Sequence, residues 1–386
     1  MLKIEKIIPG GEALATRDDG KKIFLWNALP GEIVEEYQVT KKKSSYEEGI
    51  ATKISNPSKN RVSPLDECYL STSPWQIMNF DYELKTKQEL VVELFREHQI
   101  LIDIPPIFSD RKDYFYRNKM EYSLFWDNEE SKIKLAFHAR GSHRKIIVDK
   151  SSIERPELFE AASKIVADLN SRHEEARKYQ SILLRCNQNG EVSGGLFENG
   201  KPHPTFKNLK DKILGHEYSY SPNGFFQINL PVYEMALNEI KKHINEGEVL
   251  DLYAGVGTIG LSVAENQKLA MVEVNAAAYQ EMVENAKDRK NTTCKLAKSE
   301  EVLGEIMPSQ TVILDPPRAG CDDKLIDKLI EVKPATIIYL SCNPATQARD
   351  VKKLLEAYDI KDVKTFNFFP HTPHIENLVV LTVKTC

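Results

Sequence analysis

The stretch VLDLYAGVGTIG (residues 249–260) decides the fold of the C-terminal part of this chain. The run VLDL predicts a buried strand, and Gly255, Gly257 and Gly260 follow it in G-x-G-x-x-G spacing at the start of a predicted helix. Such glycines let a ligand approach the backbone, and Glu273, at the end of the next predicted strand, can hold two ribose hydroxyls. Dinucleotide and S-adenosylmethionine sites share this pattern, so the spacing alone leaves both cofactors open. A turn that binds nothing is less favoured, because the acid is in register.

Strands and helices alternate after this stretch. The runs LAMVEVN, TVILDPP and TIIYLSC each precede a helical pattern, which predicts a mostly parallel sheet covered by helices. Only PHTPHIE separates the last two strand-like runs, VKTFNFF and NLVVLTV, and a connection this short cannot be a parallel crossover. The C-terminal part is therefore predicted to be an α/β, Rossmann-like domain whose last strand is antiparallel.

Two other domains are predicted before it. Residues 1–60 alternate apolar and polar residues between PGG, RDDG and LPG turns, the spacing of a small antiparallel, OB-like β-barrel. Residues 61–215 begin with a linker and the helical pattern DYELKTKQELVVELFREHQ, and continue as an α+β domain with a second helix at PELFEAASKIVADLNSRHEEARK. The Rossmann-like domain is assigned to residues 216–386.

Composition narrows the function classes. Of the 386 residues, 41% are hydrophobic and 28% charged, as is typical of a globular enzyme. The net charge of -5 means that any affinity for nucleic acid must come from local patches. Residues 111–150 hold ten Lys or Arg against six Asp or Glu. The aromatic residues interleaved there are Tyr114, Phe115, Tyr116, Tyr122 and Trp126. Taken alone, this stretch is more simply an ordinary charged surface.

No membrane span or secretory signal is expected, because no apolar run is long enough and the N-terminus lacks a cleavage pattern. We therefore expect a cytoplasmic protein, and a monomer by default. The six cysteines form no C-x-x-C pair, which argues against a zinc ribbon or a disulfide framework. They are Cys68, Cys186, Cys294, Cys321, Cys342 and Cys386.

Three separate segments are expected to meet at one edge of the sheet. Asp315 and Cys342 each follow a predicted parallel strand, so both belong at the carboxyl edge. The turn PHTPHIE, which contains Glu376, joins the last two strands at that same edge. His371 and His374 in this turn lack partners in zinc-ligand spacing, so we expect them to shape the turn, and we expect no metal site.

A thiol and a carboxylate beside a methyl donor suit carbon methylation of a pyrimidine. C5 of uracil is a poor nucleophile until a thiolate adds to C6, and a base must later remove the C5 proton. Cys342 would be that nucleophile and Glu376 that base. A position just before a helix N-terminus is expected to favour the thiolate. Otherwise, Cys342 would be a small buried hydrophobic residue and Glu376 a solvated loop residue.

The motifs SPNGFFQIN, LDLYAGVGTIGLSVA, DPPRAG, YLSCNPATQARD and FPHTPHIE, in this order, resemble the RNA uracil-C5 methyltransferase family over essentially the whole chain. Residues 1–60 resemble its TRAM domain, and FYRNKMEYS its central-domain motif. The resemblance implies S-adenosylmethionine as cofactor and structured RNA as substrate, with 23S ribosomal RNA favoured over transfer RNA. It also implies Cys342 as nucleophile and Glu376 as base.

The resemblance also implies binding residues. The expected cofactor contacts are Gln227, Tyr253, Gly255, Gly257, Thr258, Glu273 and Asp315. Gln227 and Asp315 are expected to reach the target uracil as well. That base must be flipped out of its stack, and Phe226 or Phe369 would form a wall of its pocket, unless both are core residues. The basic central stretch and the barrel, including Lys41 to Lys43, would hold the RNA backbone and unpaired loops.

The chain departs from the family pattern at one place. Many ribosomal RNA members hold a [4Fe–4S] cluster through C-x5-C-G-G-C and a later cysteine, but the matching stretch CYLSTSPWQIMNFDYE keeps only Cys68. The later position falls in VDKSSIERPEL, which contains no cysteine, so we expect no iron–sulfur cluster. Packing by Trp75 and Tyr69 is one candidate for its structural role.

Three other functions remain open on the sequence. A nicotinamide oxidoreductase would use the same glycine motif but has no need for SCNP and HIE at one edge. A non-catalytic RNA-binding or assembly protein would keep the fold, yet has no chemical reason to keep both Cys342 and Glu376. A DNA or protein methyltransferase is disfavoured by the barrel and by the uracil-type motifs.

Overall fold

The computed structural model describes residues 1–203 and 206–384; Cys386 lies outside the described residues. Five N-terminal strands form a closed barrel in the order β1-β2-β3-β5-β4. They are β1 (Leu2–Ile7), β2 (Ala13–Thr16), β3 (Lys22–Trp26), β4 (Ile33–Lys42) and β5 (Tyr46–Ser55). The predicted barrel is confirmed, but β3 and β5 pair in parallel, whereas only antiparallel pairs were predicted. The reason is that β4 closes the barrel against β1, so β5 lies between β4 and β3.

A linker and a six-stranded sheet follow. The linker contains α1 (Tyr69–Thr72) and α2 (Phe80–Glu97), the second of which confirms the predicted linker helix. The sheet has the order β11-β10-β9-β6-β7-β8. Its strands are β6 (Lys119–Asp127), β7 (Lys132–His138), β8 (Lys145–Ile147), β9 (Ser181–Cys186), β10 (Val192–Glu198) and β11 (Lys201–His203).

One helix, α3 (Pro156–Ser171), packs on this sheet. It ends earlier than the predicted helix, which ran to residue 178, because His173 adopts a left-handed backbone conformation with φ 53°. Only a short 3₁₀ turn, Ala176–Lys178, follows.

A buried polar network ties the linker to the central sheet near Cys68. The carboxylate of Asp66 accepts hydrogen bonds from the backbone N and the hydroxyl of Ser152, at 2.8 and 2.6 Å, and from Nε2 of Gln76 at 2.9 Å. Cys68 is itself buried in the apolar core of the central domain. Asp66 thus joins the stretch CYLSTSPWQIMNFDYE to the stretch VDKSSIERPEL. These are the two stretches that match the cysteine-bearing segments of iron–sulfur proteins with this pattern. Trp75 is buried, and Tyr69 is partly buried against the apolar core that contains Trp75.

A hairpin, β12 (Leu209–Ile213) and β13 (His216–Tyr220), comes next. Its apolar side chains, including Ile213 and Tyr218, belong to the same core as the last sheet. The predicted boundary between residues 215 and 216 falls inside this hairpin, so we place the boundary before β12.

The last sheet has seven strands in the order β16-β15-β14-β17-β18-β20-β19. They are β14 (Val249–Leu252), β15 (Leu269–Glu273), β16 (Thr292–Leu296), β17 (Thr311–Leu314), β18 (Thr336–Ser341), β19 (Tyr358–Phe366) and β20 (Glu376–Val383). The helices are α4 (Leu230–Lys241), α5 (Thr258–Val263), α6 (Ala276–Ala286), α7 (Asp323–Val332) and α8 (Pro344–Leu354), with 3₁₀ turns at Ser299–Glu301 and Leu303–Glu305. As predicted, β20 is antiparallel, to both β18 and β19. Among the described helices, none combines the length and apolar character that a membrane span needs.

Candidate active site

The carboxyl ends of β17 and β18 and the start of β20 form one edge of the last sheet, which we call the rim. Ser341, the last residue of β18, pairs with Asn377 of β20. Cys342 follows Ser341 and Glu376 precedes Asn377, so the two candidate catalytic residues face each other across the antiparallel pair. Asp315 follows β17, which pairs in parallel with β18. The structure therefore brings together the three residues that the sequence placed at one edge.

The thiol of Cys342 lies in the turn between β18 and α8. Asn343 caps α8 by accepting a hydrogen bond from the backbone N of Ala345, and its Nδ2 donates to the carbonyl of Arg318 at 2.8 Å. Burial, and then the charges of Glu376 and Asp315, raise the pKa of Cys342 to about 11. The expectation that the helix N-terminus favours the thiolate is wrong here, because burial and two carboxylates outweigh the helix dipole.

The two carboxyl groups at the rim, Asp315 and Glu376, also have raised pKa values. Burial raises the pKa of Asp315 to about 7. Burial, and then the charge of Asp315, hold the pKa of Glu376 well above its usual value. Such a shift makes Glu376 a stronger base once it is ionised.

Arg318 is a cation whose charge acts on these groups. Its charge lowers the pKa of both Cys342 and Glu376, against the effects of burial. Its Nη2 donates to Nδ1 of His374 at 3.0 Å. Burial, with the Arg318 charge, lowers the pKa of His374 to about 4, so this ring is neutral and accepts the hydrogen bond. His374 therefore orients Arg318 at the rim.

The glycine turn lies between β14 and α5. The carboxylate of Glu273 accepts hydrogen bonds from the backbone N of Gly255 at 2.8 Å and of Asn275 at 2.6 Å, which fixes it beside the turn. Gly257 has φ 86°, and a Cβ placed on Gly255 would meet no atom within 4 Å. The turn thus offers open space against the backbone, as a site for a bound adenosine group requires.

Tyr253 and Thr258 flank these glycines. Tyr253 has φ 66°, and its half-buried side chain lies beside Cys321 and Ser299. Thr258 is buried, and its carbonyl accepts a hydrogen bond from the hydroxyl of Tyr218 at 3.4 Å. Both predicted cofactor residues therefore lie at the turn.

Gln227 comes from the loop before α4. It is buried, and its carbonyl accepts a hydrogen bond from Nδ2 of Asn118, a residue of the central domain. Phe226 is buried, with its ring stacked on Tyr220 at 3.9 Å between centroids. The structure places Phe226 in the core, which corrects the prediction that it forms a wall for the target base. Its neighbour Phe225 is 73% exposed instead.

Two site residues were missed by sequence reasoning. Asp251 is completely buried; one carboxylate oxygen accepts from the backbone N of Gly260 at 2.9 Å, and the other has no partner among the described residues. Burial raises the pKa of Asp251 to about 8. An acid inside an otherwise apolar strand was the available signal. The other is Arg318, whose position in the turn after Asp315 was the available signal that it lies at the rim.

Comparison with known proteins agrees with this geometry. Residues 302–384, which include Asp315, Cys342 and Glu376, match the family model "tRNA (Uracil-5-)-methyltransferase". This C-terminal part of the chain is therefore similar to uracil-C5 methyltransferases. An overlapping range, residues 233–336, matches the model "Methyltransferase small domain".

Similarity to RNA methyltransferases extends over almost the whole chain. An uncharacterized RNA methyltransferase of Bacillus anthracis is 29% identical over 94% of this chain and 92% of its own length. One from Staphylococcus aureus is 29% identical over 94% and 93%. The crystal structure of a Pyrococcus abyssi tRNA (uracil-54, C5)-methyltransferase, in complex with S-adenosyl-L-homocysteine, superimposes with a TM-score of 0.76 at 23% identity, covering 99% of this chain and 100% of that one. That likeness establishes the shared fold.

The rim and the glycine turn fit S-adenosylmethionine as the methyl donor. Its sulfonium group is a cation, and a cation at this edge of the sheet would stabilise the ionised forms of Asp251, Asp315 and Glu376, whose pKa values are raised. The acids at the rim are therefore suited to a positively charged cofactor.

Proposed function

We propose that this protein methylates C5 of a uridine in structured RNA, using S-adenosylmethionine. One observation carries the proposal: Cys342, after the carboxyl end of β18, and Glu376, at the start of β20, face each other, and the glycine turn follows β14 at the same edge of the sheet. A nucleophile and a base that face each other are what carbon methylation of uracil requires.

The chain's own residues would act in sequence. Cys342 loses its proton, and Sγ forms a bond to C6 of the uracil, which moves the C5=C6 electron pair onto C5 and the C4 carbonyl. S-adenosylmethionine supplies the methyl group that C5 takes up. The carboxylate of Glu376 then removes the C5 proton, and the electrons left behind expel the Cys342 thiolate from C6. The products are 5-methyluridine, S-adenosyl-L-homocysteine and the regenerated Cys342 thiolate, and the C5 proton passes from Glu376 to solvent.

Gln227 and Asp315 are suited to hold the base at the rim. Asp315 has a pKa of about 7, so its carboxyl group can either donate or accept a hydrogen bond near neutral pH. Gln227 carries both a donor and an acceptor on its amide. Both functions match the polar edge of uracil, which presents two carbonyls and one N–H.

RNA would be held by surfaces outside the rim. Of the aromatic residues in the basic stretch, Phe115 is 58% exposed and Trp126 is 44% exposed, whereas Tyr116 and Tyr122 are buried. Exposed rings near Lys and Arg are suited to stack on unpaired bases. The YLSCNPATQARD and FPHTPHIE motifs favour ribosomal RNA as substrate, although the superimposed Pyrococcus structure is that of a tRNA enzyme.

The test is methylation of separated ribosomal and transfer RNA by the purified protein with labelled S-adenosylmethionine. We expect label in 5-methyluridine in the ribosomal fraction, no product with Cys342→Ala, and a covalent protein–RNA adduct with Glu376→Gln. Cys294→Ala is the matched control, because Cys294 is half-buried on the edge strand β16, away from the rim. Label in transfer RNA alone would overturn the substrate preference. RNA binding without label in any fraction would overturn the enzyme assignment and favour an RNA-binding protein.

A further inference from the structure

The loop before Glu376, residues 367–375, is held mostly by parts of the chain far from it in sequence. Lys87 of α2 donates from Nζ to the carbonyl of Phe369 at 3.0 Å and to Oδ1 of Asn367 at 2.6 Å. Glu83, one turn earlier on α2, accepts from the backbone N of His371 at 2.9 Å. These bonds join residues about 280 positions apart.

Further hydrogen bonds hold the next backbone groups of the same loop. The hydroxyl of Tyr116 donates to the carbonyl of Pro370 at 3.0 Å, and the backbone N of Trp75 donates to the carbonyl of His371 at 3.0 Å. Consecutive backbone groups from residue 369 to residue 371 are therefore fixed from the linker and the central domain. Glu376 begins β20 five residues later.

The N-terminal barrel touches this loop as well. The indole Nε1 of Trp75 donates to the carbonyl of Gly11, in the β1–β2 turn, at 3.0 Å. A Cβ on Gly11 would lie 2.4 Å from Cβ of Pro373, so the turn packs closely against the loop. The barrel, the linker and the loop form one continuous set of contacts.

The Glu83–Lys87 ion pair is buried, and removing two charges from water costs free energy. The two side chains are completely buried and lie 2.9 Å apart. Burial lowers the pKa of Lys87, which shows how poorly its charge is solvated. A buried ion pair is weak evidence for stability, since apolar residues of similar volume often serve as well. Its directed bonds to the loop are what apolar residues could not supply.

We propose that Glu83 and Lys87 are positioning residues that hold the loop so that Glu376 meets the C5 proton of the bound base. This inference rests on the proposed function. It assigns the linker helix a part in one step of the reaction, proton removal, which follows the addition of Cys342.

The test variant is Glu83→Gln with Lys87→Met, because removing both charges together leaves neither buried and unpaired. We expect kcat to fall by about 100-fold with little change in KM for RNA, as a displacement of about 1 Å can cause. The covalent protein–RNA adduct should accumulate as it does with Glu376→Gln, since addition continues while proton removal slows.

Tyr116→Phe is a milder second variant that removes only the bond to Pro370, and we expect a fall in kcat of roughly threefold to tenfold. Tyr358→Phe is the matched control: Tyr358 is a buried tyrosine whose hydroxyl donates to the carbonyls of Leu329 and Pro334, away from the loop. It should form no extra adduct.

The outcomes separate the two proposals. The proposed function stands if the wild type makes 5-methyluridine and Glu376→Gln forms the adduct. The positioning role is then overturned if the Glu83→Gln, Lys87→Met double variant and Tyr116→Phe keep the wild-type kcat per folded molecule. It is also overturned if their kcat falls without accumulation of adduct. If the wild type makes no product and Glu376→Gln no adduct, both proposals are overturned.

Discussion

Replacing Arg318 by Gln should slow alkylation of Cys342. Arg318 is the cation that lowers the pKa of this thiol, against burial and two carboxylates. Loss of one nearby opposite charge raises a pKa by about 1 to 3 units, and we take about 1 because Arg318 is exposed to solvent. The thiolate fraction at pH 8, which a pKa of about 11 already makes small, would fall about tenfold.

The observed change in rate should be smaller than the change in thiolate. A more basic thiolate is intrinsically more nucleophilic, by about threefold per pKa unit. The net expectation is therefore alkylation about threefold slower in Arg318→Gln. Glu376→Gln should act in the opposite direction, because it removes a negative charge that raises the pKa of Cys342.

The assay is the rate of iodoacetamide modification of the Cys342 peptide between pH 7 and 9.5, followed by mass spectrometry. Arg318→Lys keeps the charge and should react nearly as the wild type does. Cys294 in the same samples is an internal reference, since its pKa is raised by burial alone. If Cys342 in Arg318→Gln reacts as fast as in the wild type while Cys294 is unchanged, Arg318 does not act on the thiol.

Three other changes should have measurable effects. Glu273→Ala should weaken binding of S-adenosylmethionine by at least about tenfold in calorimetry, through loss of the ribose contact; unchanged affinity would exclude this role. Gly260→Ala should lower the free energy of unfolding by about 1 to 3 kcal/mol in urea titration, because the new Cβ would lie 2.8 Å from Oδ2 of Asp251. Because the pKa of Asp251 is raised to about 8, its contribution to stability is complete below about pH 4 and is lost as the pH rises to about 8. Asp251→Asn should therefore show a smaller decrease in unfolding free energy over that range, and an equal decrease would refute the assignment.

The sequence predicts the arrangement of the rim because topology alone determines it. Once a strand ends at Asp315, another at Cys342, and a short turn leads into Glu376, a parallel sheet with an antiparallel last strand brings them to one edge. No side-chain detail is needed for this inference. The same reasoning placed Glu273 beside the glycine turn, where its carboxylate binds the backbone.

Side-chain environments were harder to predict, because they depend on distant segments. Phe225 and Phe226 are identical in type and adjacent in sequence, and it is the stacking of Tyr220 that makes Phe226 the buried one. Lys87 and Glu83 follow an ordinary helical pattern with an i, i+4 ion pair. Nothing local distinguishes them from a solvated pair, so their contact with the loop could be found only in the structure.

The pKa values of Cys342 and Glu376 depend on the charged residues around them, Asp315 and Arg318, as well as on each other. Ionising either group raises the pKa of the other, and Asp315 adds a third negative charge. Without added positive charge, the thiol therefore stays protonated at neutral pH, and a protonated thiol resists oxidation and alkylation. Arg318 supplies part of the positive charge, and a cation bound at this rim would lower the pKa of all three groups together. Cys342 is then most reactive when a positively charged ligand occupies the site. This coupling between ligand binding and thiol reactivity requires only charge, with no movement of the chain.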